Sequence, residues 1–464
     1  MSDQNFDLVG AFARHVVSTR FADLPAGAVG KAKTFLLDTL GVALAGTAGA
    51  NVAALSDVAS GWGAGAEATV WGSGLKLPAP SAALVNAYLI HCQEFDCVHE
   101  GAVVHPMAAI LSALTAWCER EAGRGRPVPG GVFLSALAVG VDIAALLGMA
   151  TTAPVRFFRP ATASGFGAVA AIAHAAGFDE TKVKDAFGAL YGQTSGTLQP
   201  HVEGSVVLGL QIGFNARAAI TAIDLAEAGL RGPHDVLTGP YGYFTLFEQG
   251  SFDAEVVRSE LGRVWQIARL AHKPFPSGRL THGVVDGLKR LMAREGFAPD
   301  DIASVTAHVP PLVNRLVGRP DRPDPPANYA KLCLAHVAGI YLARGRVDIP
   351  DFSDPANLVE PRAHDFAARV TIVEDGNPDV NALAPQRIVV RLTGGAVHAV
   401  DLPQVYGHPD AALSEAENRD KFRRCCGHAR PPVPDERAAA IEAAVSGFET
   451  LADSAALVRL LVSC

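Results

Sequence analysis

Apolar residues recur at helical spacing through most of the first 250 positions of the chain. In residues 31–45, KAKTFLLDTLGVALA, Phe35, Leu36, Leu40 and Val42 fall near the spacing of one helix face. The same pattern predicts helices over residues 82–91, 106–121, 132–149, 168–176 and 212–228. Gly46, Gly123, Gly177 and Gly229 stand just past such segments, where helix C-caps favour glycine. Residues 68–71 form the one early candidate strand.

The pattern changes near residue 265. A break rich in Pro and Gly, HKPFPSGR at residues 272–279, precedes a predicted helix over residues 281–294. Alternating segments then predict strands over residues 302–308 and 369–373, and a hairpin of 387–392 with 396–402. From residue 411 the pattern is helical again. We therefore predict a mainly α protein with a large all-helical domain (1–267), a smaller α+β domain (268–402) and a C-terminal return to the helical domain (403–464).

The most apolar stretch, residues 132–150, is predicted to be a buried helix rather than a membrane span. Asp142 interrupts it near the middle, and Gly140 and Gly148 lie within it. The start of the chain, MSDQNFDLVG, has neither a basic region nor an apolar one, so we expect no signal peptide. A cytoplasmic protein without a membrane partner is the resulting expectation.

Composition narrows the class of protein further. With 49% hydrophobic and 19% charged residues, the chain can bury a sizeable core and is not globally disordered. The net charge of −8 disfavours a general nucleic-acid binder, because no basic excess exists to neutralise phosphates. Seven scattered cysteines, with Cys425 and Cys426 adjacent, argue against a disulfide framework and for a reducing compartment.

Several cofactor and nucleophile motifs are missing from the sequence. Gly61, Gly63 and Gly65 precede the candidate strand, whereas a dinucleotide fingerprint follows a strand and opens a helix. No GxxxxGK[ST], GxSxG or HExxH occurs. Three histidines at positions 91, 99 and 105 could crowd together, but without a clear carboxylate or thiolate set we expect no metal. No cofactor is expected either.

The densest polar cluster in an apolar context is EFDCVH at residues 94–99, followed by His105. It lies between two predicted helices, so its acids and imidazoles need hydrogen-bond partners or a water-filled cleft. One interpretation is structural, with these side chains capping the two helices. The other is a functional site, because histidine is the side chain best suited to proton transfer near neutral pH.

Two further clusters carry candidate binding residues. Lys273, Arg279 and His282 lie in HKPFPSGRLTH, where cations at the start of a helix favour an anion site. The alternative is a domain-boundary turn with solvated charges. Gln199 and Glu203 lie between Gly196 and Gly204, and with Arg217 they either line a cleft or form satisfied internal polar contacts.

An ordered series of segments resembles the MmgE/PrpD family, which includes 2-methylcitrate dehydratase, cis-aconitate decarboxylase and iminodisuccinate epimerase. The segments are LDTLGVALAGT (37–47), NAYLIHCQEFDCVHEGAVVHP (86–106), ATASGFGAVAA (161–171), GFNARAAITAIDLAEAGLRGP (213–233), GYF (242–244) and KPFPSGRLTH (273–282). The resemblance implies a helical domain with a smaller α+β domain, a homodimer, and an active site in the cleft between the domains. It also implies that no iron–sulfur cluster or nucleotide takes part.

The resemblance and the clusters together give a set of candidate site residues. The catalytic candidates are Asp96, His99, His105, Lys273 and His282, and the substrate-binding candidates are Glu94, Arg159, Gln199 and Arg279. The chain departs from the family pattern at several of its polar positions. Those departures are Glu94, Cys97, Val98, Phe158 in place of a histidine, and Leu208 in place of a lysine. The substrate is therefore expected to differ from that of the best-known members.

The resemblance implies chemistry at a carbanion-like centre next to a carboxylate, which needs a base and fixed positive groups. We expect His105 to act as general base or acid, with Asp96 and His99 orienting it or sharing protons. Lys273 and Arg279 would hold a substrate carboxylate, and His282 would bind or protonate the substrate. Dehydration of a small hydroxy-carboxylic acid is the first expectation, followed by epimerisation or decarboxylation. The rival hypothesis is a protein that binds an organic acid without turning it over.

Overall fold

The computed structural model describes residues 6–462, which contain twenty-one α-helices and six short strands. The helices of the first part are α1 (Leu8–Ser18), α2 (Ala26–Gly46), α3 (Val52–Ser60), α4 (Ala79–His91), α5 (Pro106–Gly123), α6 (Gly130–Met149), α7 (Arg159–Ala175), α8 (Glu180–Tyr191), α9 (Gln199–Glu203), α10 (Val207–Glu227), α11 (Tyr243–Phe247) and α12 (Glu255–Glu260). Two two-residue strands, β1 (Ala68–Thr69) and β2 (Lys76–Leu77), pair antiparallel between α3 and α4.

The remaining elements alternate between helix and strand before the chain ends in helices. They are α13 (His282–Glu295), β3 (Ile302–Val309), α14 (Pro311–Val317), α15 (Ala327–Lys331), α16 (Leu334–Arg344), α17 (Pro350–Ser353), α18 (Pro355–Leu358), α19 (Pro361–Ala367), β4 (Val370–Glu374), β5 (Gln386–Leu392), β6 (Val397–Leu402), α20 (Glu415–His428) and α21 (Asp435–Ser446). A mainly helical protein with a smaller α+β part confirms the predicted fold class.

The larger hydrophobic core is built from helices α4 to α7 and α10. Small residues let these helices approach closely: a Cβ on Gly140 of α6 would lie 2.6 Å from the carbonyl oxygen of Gly167 in α7. The same core includes Phe422 of α20, Ile441 of α21 and Leu457 beyond it. The C-terminal segment therefore packs against the helices of the first part of the chain.

Helix α6 is long and apolar enough to span a membrane by length and composition, but 89% of its most apolar 18-residue window is buried inside the protein. Its one charged residue, Asp142, accepts a hydrogen bond from the backbone N–H of Gln266 at 2.7 Å and lies 3.1 Å from Nε2 of His15. The carboxylate is thus partnered within the core, where a buried charge needs such partners.

Two of the four glycines predicted to cap helices do so in the left-handed conformation: Gly177 has φ 67° and Gly229 has φ 84°. The other two, Gly46 and Gly123, are the last residues of α2 and α5. At Gly46 the reason for glycine is space, because a Cβ there would lie 1.9 Å from the carbonyl oxygen of Leu89.

The smaller core belongs to a four-stranded sheet of order β4-β3-β5-β6. Strand β3 pairs parallel with β4 and antiparallel with β5, and β5 and β6 form the predicted hairpin. Helices α13 and α16 contribute Leu288 and Val337 to this core. All four strands lie within one or two residues of the segments predicted from alternation.

The six cysteines within residues 6–462 are free, and all but the half-buried Cys92 are buried. Cys464 and residues 1–5, on which the cysteine and signal-peptide expectations partly depend, lie outside the described residues.

Candidate active site

The loop between α4 and α5 carries the densest group of ionisable side chains. His91 is the last residue of α4, and His105 is the N-cap of α5. Between them, Glu94 adopts a left-handed backbone with φ 52°, which is uncommon for a residue other than glycine. The Lys273 ammonium holds this conformation, because its Nζ donates both to the Glu94 carbonyl, at 3.1 Å, and to Oε2 of its carboxylate, at 2.9 Å.

Asp96 lies at the centre of this group and is fully buried. Its carboxylate is 3.1 Å from Nδ1 of His91, 3.3 Å from Nδ1 of His105 and 3.9 Å from Nζ of Lys273. The opposite nitrogen of His91, Nε2, lies 3.1 Å from the Glu94 carboxylate. Two acids, two imidazoles and one ammonium therefore form one connected cluster, which we call the Asp96 cluster.

Electrostatic attraction between the acidic and basic side chains of the Asp96 cluster determines the protonation states of most of them. Burial alone would raise the pKa of Asp96, but His91 and then His105 outweigh it and lower that pKa. Burial likewise opposes ionisation of Glu94, and Lys273 and His91 lower its pKa well below the usual value. Burial would lower the pKa of His91, but the two carboxylates raise it to about 9. His91 is therefore an imidazolium at neutral pH, clamped between two anions.

His105 is the exception in the cluster. Burial, and next the Lys273 ammonium, lower the pKa of His105, and Asp96 offsets them only in part. Its side chain is 13% exposed, against 2% for His91. Its Nδ1 lies 3.3 Å from the Asp96 carboxylate without the geometry of a hydrogen bond, and among residues 6–462 its Nε2 has no hydrogen-bond partner either. His105 is thus a neutral, partly exposed imidazole at neutral pH.

A second buried ammonium, Lys331 at the end of α15, lies beside this loop and was not among the sequence candidates. Its Nζ donates to the Cys92 carbonyl at 3.1 Å and to the side-chain oxygen of Gln93 at 2.9 Å. Burial lowers the pKa of Lys331 to about 8, against the attraction of Cys92 and Glu94. A lone lysine in the apolar run YAKLCLAHV was the signal that could have identified it.

The balance of charge favours an anionic ligand. Three cationic side chains (His91, Lys273 and Lys331) face two carboxylates (Glu94 and Asp96), which leaves one uncompensated positive charge in a protein of net charge −8. A carboxylate entering beside His105 would neutralise that charge, and a buried charge that gains a partner is stabilised.

The structure gives His99 other partners than the Asp96 carboxylate. Its Nε2 lies 3.0 Å from the side-chain oxygen of Gln266, and its Nδ1 accepts the backbone N–H of Ala102 at 3.1 Å. Burial lowers the pKa of His99 to about 4. With both nitrogens engaged and the ring neutral, His99 braces the loop rather than offering a nitrogen to a substrate.

Arg159 and Arg279, two predicted carboxylate ligands, are already paired. Arg159 donates through Nε and Nη2 to the Glu248 carboxylate, both at 3.1 Å, in a fully buried ion pair. Arg279 donates to Glu100 at 2.7 Å and to the carbonyls of His272, Val405 and Tyr406. Both arginines therefore brace the protein through most of their N–H donors, and a role in binding a substrate carboxylate stays a prediction.

The hydrogen bonds and ring contacts found for His282 and Gln199 within residues 6–462 involve no residue of the Asp96 cluster. His282 is stacked on Phe275 with ring centroids 3.9 Å apart, and its Nε2 lies 3.3 Å from the Ser277 carbonyl. Burial, then Arg279, lower the pKa of His282 well below its usual value, so it is not a cation. Nε2 of Gln199 donates a hydrogen bond to the carboxylate of Glu203 in the same short helix.

The donor set of the Asp96 cluster also has the composition of a metal site. One ligand atom each of His91, Asp96 and His105 lies within 4.8 Å of the others. However, the ammonium of Lys273 lies 3.9 Å from the Asp96 carboxylate and contributes a positive charge there. The set fits an organic anion better than a second cation, because like charges repel in a buried site.

Comparisons with known proteins give matches over most of the chain. The model of the MmgE/PrpD N-terminal domain matches residues 10–255, and that of the MmgE/PrpD C-terminal domain matches residues 275–446. Cis-aconitate decarboxylase of Mus musculus is 26% identical over 468 residues, which cover 97% of this chain and 92% of that protein. The cis-aconitate decarboxylase-like protein oryM of Aspergillus oryzae is also 26% identical, over 96% of this chain and 95% of its own.

Proposed function

The chain belongs to the MmgE/PrpD family, and from that premise we propose that it is a cofactor-independent lyase acting on a small carboxylic acid with two or three carboxylates. The observation that carries the proposal is the neutral, partly exposed His105. It lies 3.3 Å from an ionised Asp96 and beside the Lys273 ammonium, and Lys331 binds the same loop at Cys92 and Gln93.

Dehydration of a hydroxy acid can start from these protonation states, with His105 neutral and Asp96 ionised. Nε2 of His105 accepts the proton from the carbon next to a substrate carboxylate, and the electron pair of that C–H bond forms the new C=C bond. The C–O bond of the neighbouring carbon breaks, and the hydroxide leaves as water after it takes a proton. Lys331, with its pKa lowered to about 8, is the candidate donor of that proton. Lys273 stabilises the enolate charge while the C–H bond breaks.

Decarboxylation is a second candidate, because both relatives are named for cis-aconitate decarboxylase. In that reaction the bond to a carboxylate carbon breaks, CO₂ leaves, and the electron pair stays on the substrate carbon. A protonated His105 then delivers its proton to that carbon. The carboxylates of a bound substrate supply the negative charge that favours the imidazolium form of His105.

Product analysis and pH dependence together separate the candidates. The purified protein is incubated with cis-aconitate and with hydroxy acids such as 2-methylcitrate, and products and CO₂ are recorded by NMR and gas analysis. If His105 is a base, kcat/KM falls as pH drops through its lowered pKa. If it is an acid, kcat/KM falls as pH rises. Thermal stabilisation by an acid without product would instead support a binding protein and contradict the proposal.

A further inference from the structure

A second cluster of ionisable side chains lies in the α+β part and shares no residue with the Asp96 cluster. Asp321 lies in the segment between α14 and α15, His336 lies in the first turn of α16, and His364 lies in α19. The Asp321 carboxylate is 2.8 Å from Nδ1 of His336 through one oxygen and 2.5 Å from Nδ1 of His364 through the other. One ligand atom of each residue lies within 4.8 Å of the other two.

The hydrogen bonding around His364 fits two states of the ring, a protonated imidazolium and a metal-bound imidazole. Its Nε2 lies 3.1 Å from the Leu358 carbonyl, and its Nδ1 faces the Asp321 carboxylate, so both nitrogens face oxygen acceptors. A neutral imidazole has one N–H and satisfies only one of them. An imidazolium donates to both oxygens. In the metal-bound state the proton stays on Nε2 and the ion replaces the proton of Nδ1, which requires the 2.5 Å contact with Asp321 to lengthen, because two ligand atoms of one zinc ion lie about 3 Å or more apart. Metal-bound histidines usually donate their other N–H to a carbonyl or carboxylate in this way.

The surroundings leave room for an ion and for a further ligand. His336 is fully buried, and its Nε2 has no hydrogen-bond partner within residues 6–462. Asp321 and His364 are 18% and 19% exposed at their side chains, and both line a cavity of about 830 Å³. Two imidazoles and a carboxylate with one open side match the three-ligand sites that zinc occupies together with water.

We propose that Asp321, His336 and His364 bind a divalent transition-metal ion of the zinc and cobalt class. Imidazole nitrogen suits these ions, whereas Mg²⁺ and Ca²⁺ prefer oxygen ligands. The ion joins the segment of residues 318–326 to the packed pair α16 and α19.

The position of that segment gives the ion a structural role. Arg319, two residues before Asp321, donates to the His201 carbonyl at 2.9 Å, and its Nη2 lies 2.8 Å from Nδ1 of His201. His201 belongs to α9 of the helical part. A metal ion at Asp321 therefore fixes a segment that joins the α+β part to the helices, and the ion stabilises the folded protein by binding it selectively.

Titration of the full-length, metal-stripped protein with Co²⁺ tests the site, because coordinated cobalt absorbs visible light. We expect one saturable site per chain, competition by Zn²⁺, and a rise in Tm. His364→Ala should weaken binding by at least about tenfold, since even outer-shell changes cost 10–100-fold. His398→Ala is the matched control, because this histidine is comparably exposed and paired with Glu295 in the same part of the protein.

A second variant, Asp321→Asn, keeps the size of the side chain and tests the same site if His364→Ala folds poorly. His105→Ala tests whether the ion lies in the Asp96 cluster instead. Cobalt absorption that is lost in His105→Ala but kept in Asp321→Asn would overturn the proposal, as would the absence of saturable binding in the wild type. These readouts do not depend on turnover, so they stand apart from the proposed lyase activity.

Discussion

Lys273 stabilises the folded protein through its ion pair with Glu94, and in the proposed reaction it also contacts the substrate. A double-mutant cycle with Glu94 separates these two roles. Its ammonium is fully buried and lies 2.9 Å from the Glu94 carboxylate, which is 8% exposed. Lys273→Met leaves that carboxylate buried without its cation. Removing one partner of a buried pair costs about 3–5 kcal/mol, so we expect a loss of this size in the free energy of unfolding. A single substitution therefore confounds stability with activity.

Adding Glu94→Gln to Lys273→Met removes the buried carboxylate charge that has lost its cationic partner. We expect Lys273→Met/Glu94→Gln to recover about 2 kcal/mol of the lost stability, leaving a deficit of about 1–3 kcal/mol for imperfect hydrogen bonding. If Lys273 also contacts a substrate carboxylate, the double variant still loses about 1.5–3 kcal/mol of charge-assisted binding, or roughly 10–150-fold in kcat/KM.

The assays are urea unfolding and steady-state kinetics on an acid and its neutral amide, with both single variants as controls. The structural reasoning is refuted if Lys273→Met unfolds within about 1 kcal/mol of the wild type. The functional reasoning is refuted if the folded double variant matches Glu94→Gln in kcat/KM for the acid.

Three further outcomes follow from the same contacts. His105→Ala should lower kcat by about 10²–10⁴-fold, the usual effect of a positioned acid or base, in a variant that still folds; a folded variant with near-normal kcat would contradict the role. The His91 imidazolium stabilises the fold fully below its unfolded pKa of 6.5, and this contribution is lost as pH rises through its raised pKa of about 9. Urea unfolding over this pH range should show a larger loss of stability for the wild type than for His91→Gln, and parallel curves would exclude the effect. Arg279→Met should cost about 3–5 kcal/mol of stability, because Glu100 loses its buried partner; normal stability with a raised KM would return Arg279 to substrate binding.

The sequence predicts the secondary structure best where one face of an element is buried. Side chains of strands β3 and β5 alternate between more and less buried positions over most of their length, and their bounds match the prediction within one residue at each end. Helix α7 shows the opposite case. It begins at Arg159, nine residues before its predicted start, because RPATASGFG contains small and polar residues without apolar periodicity. Those small residues are selected by close packing against α6, which a single-chain pattern does not reveal.

The candidate site was predictable as a list of residue types but not as a set of pairs. Lys273 meets Glu94 across 179 positions of sequence, which neither local segment indicates. Arg159 and Arg279 have the chemistry of carboxylate ligands, yet each is paired with an acid of the protein itself, Glu248 and Glu100. Which acid neutralises which cation depends on tertiary packing, and so does the burial that sets the pKa of His105.

Transfer of a proton between His105 and a substrate carbon is the central claim, and deuterium incorporation measures it most directly. The wild type, His105→Ala and His99→Ala are each incubated in D₂O with the turned-over acid, and deuterium at the carbon next to the carboxylate is followed by NMR. Both dehydration run in reverse and decarboxylation place a solvent-derived deuteron on that carbon. We expect His105→Ala to lose incorporation and a folded His99→Ala to retain it. Unchanged incorporation in His105→Ala would contradict proton transfer by His105.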